Sequence, residues 1–311
     1  MSKQPASVLL TTGNQKSPGK TITIAVAGNP NSGKSTLINA IAGTKLHVGN
    51  WAGVTVEKKE AAFKYQGSHI RLVDLPGTYS LSPYSQEEVI ARDYLVDERP
   101  DVIVDVVDST NLERNLYLTV QLLELGIPVV LALNIYDEAE KKGYKIDAEA
   151  IEKMLGVKAV PTSATKKKGL DELLKAVVEV AENPVAHRPR LLSYGEDIDS
   201  AVRSIEGRIK SDYPALAEKY SSRWLAIKLM EGDGDVRKKL DINDAGSLVA
   251  GDADHLRIAH GEDIESVMAD ARYARAAGLS REVLKRPKTG KVELTERIDR
   301  VVLSRYFGIP I

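Results

Sequence analysis

The sequence predicts an α/β domain with a doubly wound sheet, followed by a smaller all-α domain. Three observations carry this. Short apolar, β-branched runs alternate with helical patterns through the first half of the 311 residues. A glycine-rich loop separates the first run from the first helix. After a proline-bearing stretch at 183–189, strand-like runs of more than three or four residues cease.

The strand-like runs are TITIAVAG (Thr21–Gly28), HIRLVDLPG (69–77), DVIVDVVD (101–108), PVVLALN (128–134) and VKAVPTS (157–163). Each is nearly continuous in apolar character, as expected of strands covered on both faces of a parallel sheet. Helical patterns lie between them at Lys34–Ala42, 87–95, 111–125, Ala148–Leu155 and 170–181. Gly126 and Gly156 stand just past two of these as left-handed stops, and Asp147 is placed to cap the start of the helix that Gly156 ends. In a sheet of this kind ligands bind at the C-terminal strand ends. Beyond the boundary, helices are expected at 197–209, 215–230, 264–277 and 294–306, with breaks at EGDGD (231–235) and AGDADH (250–255). The expected organisation is a flexible leader (1–20), the α/β domain (21–184), the helical domain (185–305) and a short terminal segment (306–311).

Composition narrows the function classes. Lys and Arg total 43 against 44 Asp and Glu, a formal charge of -1, so the overall basic field of a nucleic-acid binder is absent. The absence of cysteine excludes disulfides, thiolate metal sites and cysteine nucleophiles. No run approaches the roughly 18–20 apolar residues of a membrane helix, and the leader lacks the hydrophobic block of a secretory signal. The expected setting is cytoplasmic.

GNPNSGKS, residues 28–35, fits Gly-x4-Gly-Lys-Ser/Thr between a buried strand and a helix. Its glycines let successive backbone N–H groups and the helix start face an anion. Gly28, Asn29, Pro30, Asn31, Ser32, Gly33, Lys34, Ser35 and Thr36 are therefore the candidate phosphate cradle. Lys34 would reach the outer phosphates and the Ser35 hydroxyl would ligate Mg²⁺. DLPG, residues 74–77, supplies Asp74 for a Mg²⁺-bound water and a free Gly77 N–H for a γ-phosphate. NIYD, residues 134–137, ends a strand. Asp137 offers two oxygens to the N1–H and 2-amino donors of guanine, which adenine lacks, although Asn134 and Asp137 also suit a helix cap. Ser163 and Ala164 occupy the position where a backbone N–H reads the base oxygen. Thr55, in VGNWAGVTVEKKE (48–60), is the candidate switch threonine that completes the Mg²⁺ shell when a γ-phosphate is present; it could also simply begin a strand. Together these motifs describe a Ras-like P-loop GTPase.

GNPNSGKSTLINAI, GNWAGVTVEKKE, LVDLPGTYSL, SQEEVIARDYL and RNLYLTVQLLELGIPVVLALN resemble the G-domain signatures of the FeoB family of ferrous-iron transporters, and the resemblance runs from Ile22 to Ile311. It implies a GTPase domain, a helical domain that slows nucleotide release, and a membrane domain beyond them. ERIDRVVLSRYFGIPI resembles the approach to a first span, so the module would lie at the cytoplasmic face of the bacterial inner membrane. The implied ligands are GTP, Mg²⁺ and K⁺. The implied partners are the transporter's own membrane domain, small cytosolic Feo-type accessory proteins and a second copy of the chain, with no nucleic acid. Many related GTPases carry a catalytic glutamine after the DxxG glycine, where Thr78 stands here. In the potassium-stimulated GTPases a monovalent cation offsets the charge developing between the β- and γ-phosphates. The resemblance assigns that cation to the side chain of Asn31 and the switch carbonyls near Gly49 and Trp51. Asn31 could instead bond its own loop, and Trp51 could pack on a partner.

Two positions carry consequences. Ala52 replaces the family's common proline, which loosens the switch loop. Ile135 stands where the wider GTPase class has lysine, as in FeoB relatives, and implies weak nucleotide affinity and fast GDP exchange. Glu87 and Glu88 could relay nucleotide state or serve only as a helix start. Asp252, Asp254, His255 and His260 form the one His/Asp cluster; an iron site is less expected there than a solvated loop and cap, because histidines five apart do not share a helical face. Leu294, Ile298, Val301 and Val302 make one apolar stripe. The rival reading is a free-standing GTPase of the ribosome-assembly or tRNA-modification class, which would require an RNA surface that the composition does not supply.

Overall fold

A computed structural model describes residues 21–43, 46–239 and 245–287. The leader, the helix expected at 294–306 and the terminal segment 306–311 lie outside the described residues. The first half runs β1 (Thr21–Gly28), α1 (Lys34–Ala42), β2 (Leu46–Asn50), β3 (Glu57–Tyr65), β4 (Ser68–Asp74), α2 (Gln86–Glu98), β5 (Val102–Asp108), α3 (Leu112–Glu124), β6 (Val129–Asn134), α4 (Tyr136–Lys141), β7 (Lys145–Ile146), α5 (Ala148–Leu155), β8 (Lys158–Pro161) and α6 (Leu170–Glu182). The rest comprises α7 (Glu196–Asp212), α8 (Pro214–Lys219), α9 (Ser222–Met230), α10 (Gly234–Lys239), α11 (Ala245–His260), α12 (Ile264–Val283) and β9 (Leu284–Lys285).

The main sheet has the order β2-β3-β4-β1-β5-β6-β8. From β4 to β8 every pairing is parallel, and β2 and β3 join as an antiparallel extension. The predicted doubly wound sheet is therefore present, with two more strands than its apolar runs revealed. β3, EKKEAAFKY, carries charge on a half-exposed face and so lacks the continuous apolar signal of a covered strand. Residues 48–60, expected as a loop, contain the end of β2, a short turn and the start of β3. Chain direction explains the site: β1, β4, β5, β6 and β8 all point their C-terminal ends to one edge, and the loops leaving them carry the predicted motifs.

The helical half corrects two further expectations and adds one two-residue strand. The single helix expected at 215–230 is two, because Tyr220 and the Ser221 cap of α9 interrupt it. Residues 250–255, expected as a break, lie inside α11. A short strand, β9, pairs antiparallel with β7. The two halves share one core in which α3 packs between β5 and α12. With both sides covered, α3 is buried from Asn115 to Glu124, so its last residue needs a charged partner inside. Arg272 of α12 supplies it, donating from Nε and Nη2 to the two Glu124 oxygens at 2.8 and 2.9 Å.

Candidate nucleotide site

The loop between β1 and α1 is shaped by its neighbours. Gly28 has φ 153°, and a Cβ there would come within 2.7 Å of the carbonyl oxygen of Val106 in β5. Gly33, at φ 81°, has no room for a Cβ against the Asn134 amide. Close approach to β5 and β6 thus requires both glycines, independently of any ligand. Asn31 is also left-handed, at φ 67°, and its side chain is exposed. No side chain caps the start of α1, so its first N–H groups remain available to an anion. Both polar atoms of the Asn29 side chain and the Ser32 hydroxyl are buried without a hydrogen-bond partner. Native interiors rarely leave such groups unpaired, and an oxygen-rich anion in the loop would satisfy them.

Lys34 is 9% exposed and its ammonium pairs with Asp74, while also donating to the Leu75 carbonyl. Burial pushes the Asp74 carboxyl up, and Lys34 opposes it. Ser35 and Thr36 are exposed on the first turn of α1. The Ser35 hydroxyl and the Asp74 carboxylate are hard oxygen donors of the kind Mg²⁺ takes together with phosphate oxygens. Gly77 packs over Pro30 of the loop, and the buried Thr78 donates its N–H to the Gly28 carbonyl at 3.3 Å. DLPG and the phosphate loop are therefore in direct contact.

Asn134 ties three segments together. Its Nδ2 donates to the Ser32 carbonyl at 3.0 Å, and its Oδ1 accepts from the Ala164 N–H at 3.2 Å and the Thr162 hydroxyl at 3.4 Å. Ser163 in turn donates to Asp137 Oδ1 at 2.7 Å. The predicted residues Asn134, Asp137, Ser163 and Ala164 thus converge beside the phosphate loop. Lys166, in the lysine run after SAT, stands 2.7 Å from Asp137 Oδ2.

The segment carrying the candidate switch threonine lies in a hairpin. Gly49 pairs in register with Lys58, the Trp51 carbonyl accepts from Val54 N–H at 3.3 Å, and Thr55 is exposed. Trp51 packs edge-on against Tyr94 of α2, with ring centroids 5.4 Å apart, and Lys58 lies over its face. Trp51 thus has an intramolecular partner. Glu88 forms a capping box with Ser85 and accepts from the Ser80 hydroxyl at 2.7 Å, so it joins the DLPG loop to α2. The His/Asp cluster holds no metal arrangement among the described residues: Asp252 pairs with Arg208, Asp254 with Arg257 and His260 with Asp197.

Two family models match. The first, for ferrous iron transport protein B, matches residues 22–177, and the second, for the FeoB cytosolic helical domain, matches residues 194–285. The chain belongs to the FeoB family. Among FeoB relatives, an Fe(2+) transport protein A/FeoB fusion of Porphyromonas gingivalis is 42% identical over 307 residues, 95% of this chain and 36% of that protein. The Fe(2+) transporter FeoB of Escherichia coli K12 is 38% identical over 297 residues, 94% of this chain and 37% of its own length. The chain therefore spans little more than a third of these relatives. A GDP-bound mutant NFeoB of S. thermophilus is 39% identical with a TM-score of 0.74, covering 85% of this chain and all 100% of the other. The cytosolic domain of T. maritima FeoB in its GMPPNP form is 35% identical with a TM-score of 0.73, covering 85% and 99%. This membership displaces the free-standing ribosome-assembly or tRNA-modification reading. No helix among the described residues is long and apolar enough to cross a membrane.

Proposed function

We propose that this FeoB chain binds GTP, hydrolyses it to GDP and phosphate, and through that cycle regulates ferrous-iron uptake at the cytoplasmic face of a transporter. The orphaned polar atoms of Asn29 and Ser32, buried beside the uncapped start of α1, carry the binding step. The GDP- and GMPPNP-bound structures of similar FeoB domains support it. Lys34 exchanges its contact with Asp74 for the outer phosphates, and the Gly77 N–H meets the terminal one. Ser35, Thr55 and, through water, Asp74 would hold Mg²⁺, which neutralises phosphate charge. Asn31, with the carbonyls of Gly49 and Trp51, would hold K⁺, which offsets charge developing between the β- and γ-phosphates. Thr78 is buried beneath the loop and does not replace the missing glutamine. The membrane domain of a full-length transporter, a small accessory protein of the kind fused in the P. gingivalis relative, and a second copy of the chain are the proposed partners.

GTP turnover measured in potassium and in sodium tests the cation. Turnover is expected to be higher in potassium, and Asn31→Ala should abolish the difference. A potassium-to-sodium ratio unchanged in that variant removes Asn31 from the mechanism.

A further inference from the structure

Asp137 offers the base two oxygens, and the chain itself already engages both. Ser163 Oγ donates to Oδ1 and Lys166 Nζ pairs with Oδ2, each at 2.7 Å. Lys166 first, and Ser163 second, hold the carboxyl down to about 2. The segment carrying Lys166 is closed on itself: Ser163 and Lys168 exchange backbone hydrogen bonds at 3.1 Å in both directions, and the Lys166 N–H returns to the Ser163 carbonyl at 3.1 Å. Gly169, at φ 74°, lies so close to the Pro161 carbonyl that no Cβ fits there. Ala164 is tied to Asn134. A short, closed turn therefore delivers the ammonium to Asp137 with little freedom left in its backbone.

The residue following Asn134 is Ile135, a hydrocarbon that brings no charge to this site. We propose that Lys166 is a specificity-determining positioning residue for guanine: it holds Asp137 aimed at the base edge and supplies the positive charge that Ile135 lacks. This rests on the reading of Asp137 as the base acceptor. A base covering Asp137 replaces its water with two neutral donors, and a carboxylate so covered is destabilised unless a counter-charge remains. Each carboxylate oxygen accepts about two hydrogen bonds. Ser163 and Lys166 take one on each oxygen and leave one on each for N1–H and the 2-amino group. The contribution is greatest for a base that uses both donors, so loss of Lys166 lowers discrimination as well as affinity.

Competition of GDP, IDP, XDP and ADP against a fluorescent GDP analogue tests this on the full chain as wild type, Lys166→Met, Lys166→Arg and Asp137→Asn. IDP lacks the 2-amino group. Lys166→Met is expected to weaken GDP severalfold, as for loss of a half-exposed ion pair, and to lower the GDP-to-IDP affinity ratio, with Lys166→Arg restoring both. A wild-type GDP-to-IDP ratio in Lys166→Met, beside an Asp137→Asn variant that turns towards XDP, overturns this proposal alone. A wild type that does not distinguish GDP from ADP, or an Asp137→Asn variant with unaltered preference, overturns the guanine assignment and this proposal with it.

Discussion

Asp105 is a carboxyl in an aliphatic interior. On β5 it is in register with Ala27 of β1 and Leu131 of β6, and its carboxyl accepts from the Thr119 hydroxyl on α3 at 2.6 Å. Burial pushes its pKa up to about 7, against the slight opposition of Thr119. A folded-state pKa above the unfolded value of about 4 means that the folded chain retains a proton the unfolded chain has lost. Stability therefore declines as pH rises from about 4 to about 7, then levels off. Asp105→Asn abolishes this dependence. In urea unfolding the variant should gain about 2–4 kcal/mol on wild type between pH 5 and pH 8, and parallel pH profiles for the two proteins would refute the protonation. The residues of the candidate site differ in how legible they were. Gly28, Lys34 and Asp74 could be read because phosphate binding demands particular residue types at fixed spacing. Lys166 could not, because its partner lies in another segment and only the closed turn brings them together.

At the scale of elements, the β2–β3 hairpin and α2 decide where residues 48–60 rest. Trp51 and Tyr94 touch edge to face, and the buried Trp51 Nε1 and Tyr94 hydroxyl have no hydrogen-bond partner. Such an aromatic pair contributes about 1 kcal/mol beyond its area, a weak latch. Tyr94→Ala should release the tip of the hairpin and shift the emission of Trp51 to the red. The chain's other tryptophan, Trp224, is 3% exposed in α9, and Trp224→Phe leaves Trp51 as sole reporter. Unchanged emission after Tyr94→Ala would show that the pair does not hold the hairpin. The hairpin was hidden in the sequence for a physical reason: an edge strand with one wet face needs no apolar run, whereas β1, β5 and β6, covered on both faces, do.

Across the whole molecule, the join between the α/β half and the helices runs through buried charge. Arg272, 2% exposed, bridges Glu124 of α3 to Glu231 at the end of α9, where Lys228 adds a 2.8 Å contact. Burial alone would raise the Glu231 carboxyl, but Arg272 and Lys228 hold it below its usual range. Burial likewise works against the Arg272 charge, and Glu124 and Glu231 outweigh it. A second buried pair, Arg92 of α2 with Asp233 at 3.2 Å, ties the helix after the DLPG loop to the same region. Removing one partner from such a network leaves uncompensated charge and costs about 3–5 kcal/mol. Arg272→Ala should lower the urea midpoint accordingly, and an unchanged midpoint would show that the network carries no net stability.

Local order along the chain was enough to determine the covered strands, most of the helices between them and the motifs that the fold gathers at one edge of the sheet. Each depends on neighbours within a few positions: a strand's apolar run, a glycine's backbone freedom, a lysine after a turn. Only the folded chain decided that Lys34 rests on Asp74, that Asn134 binds three loops together, that Trp51 lies on α2 and that Glu124 meets Arg272 across 148 residues. Those pairings arise from the stacking of strands and helices, which places side chains by distance in space, and no spacing along the chain records that distance.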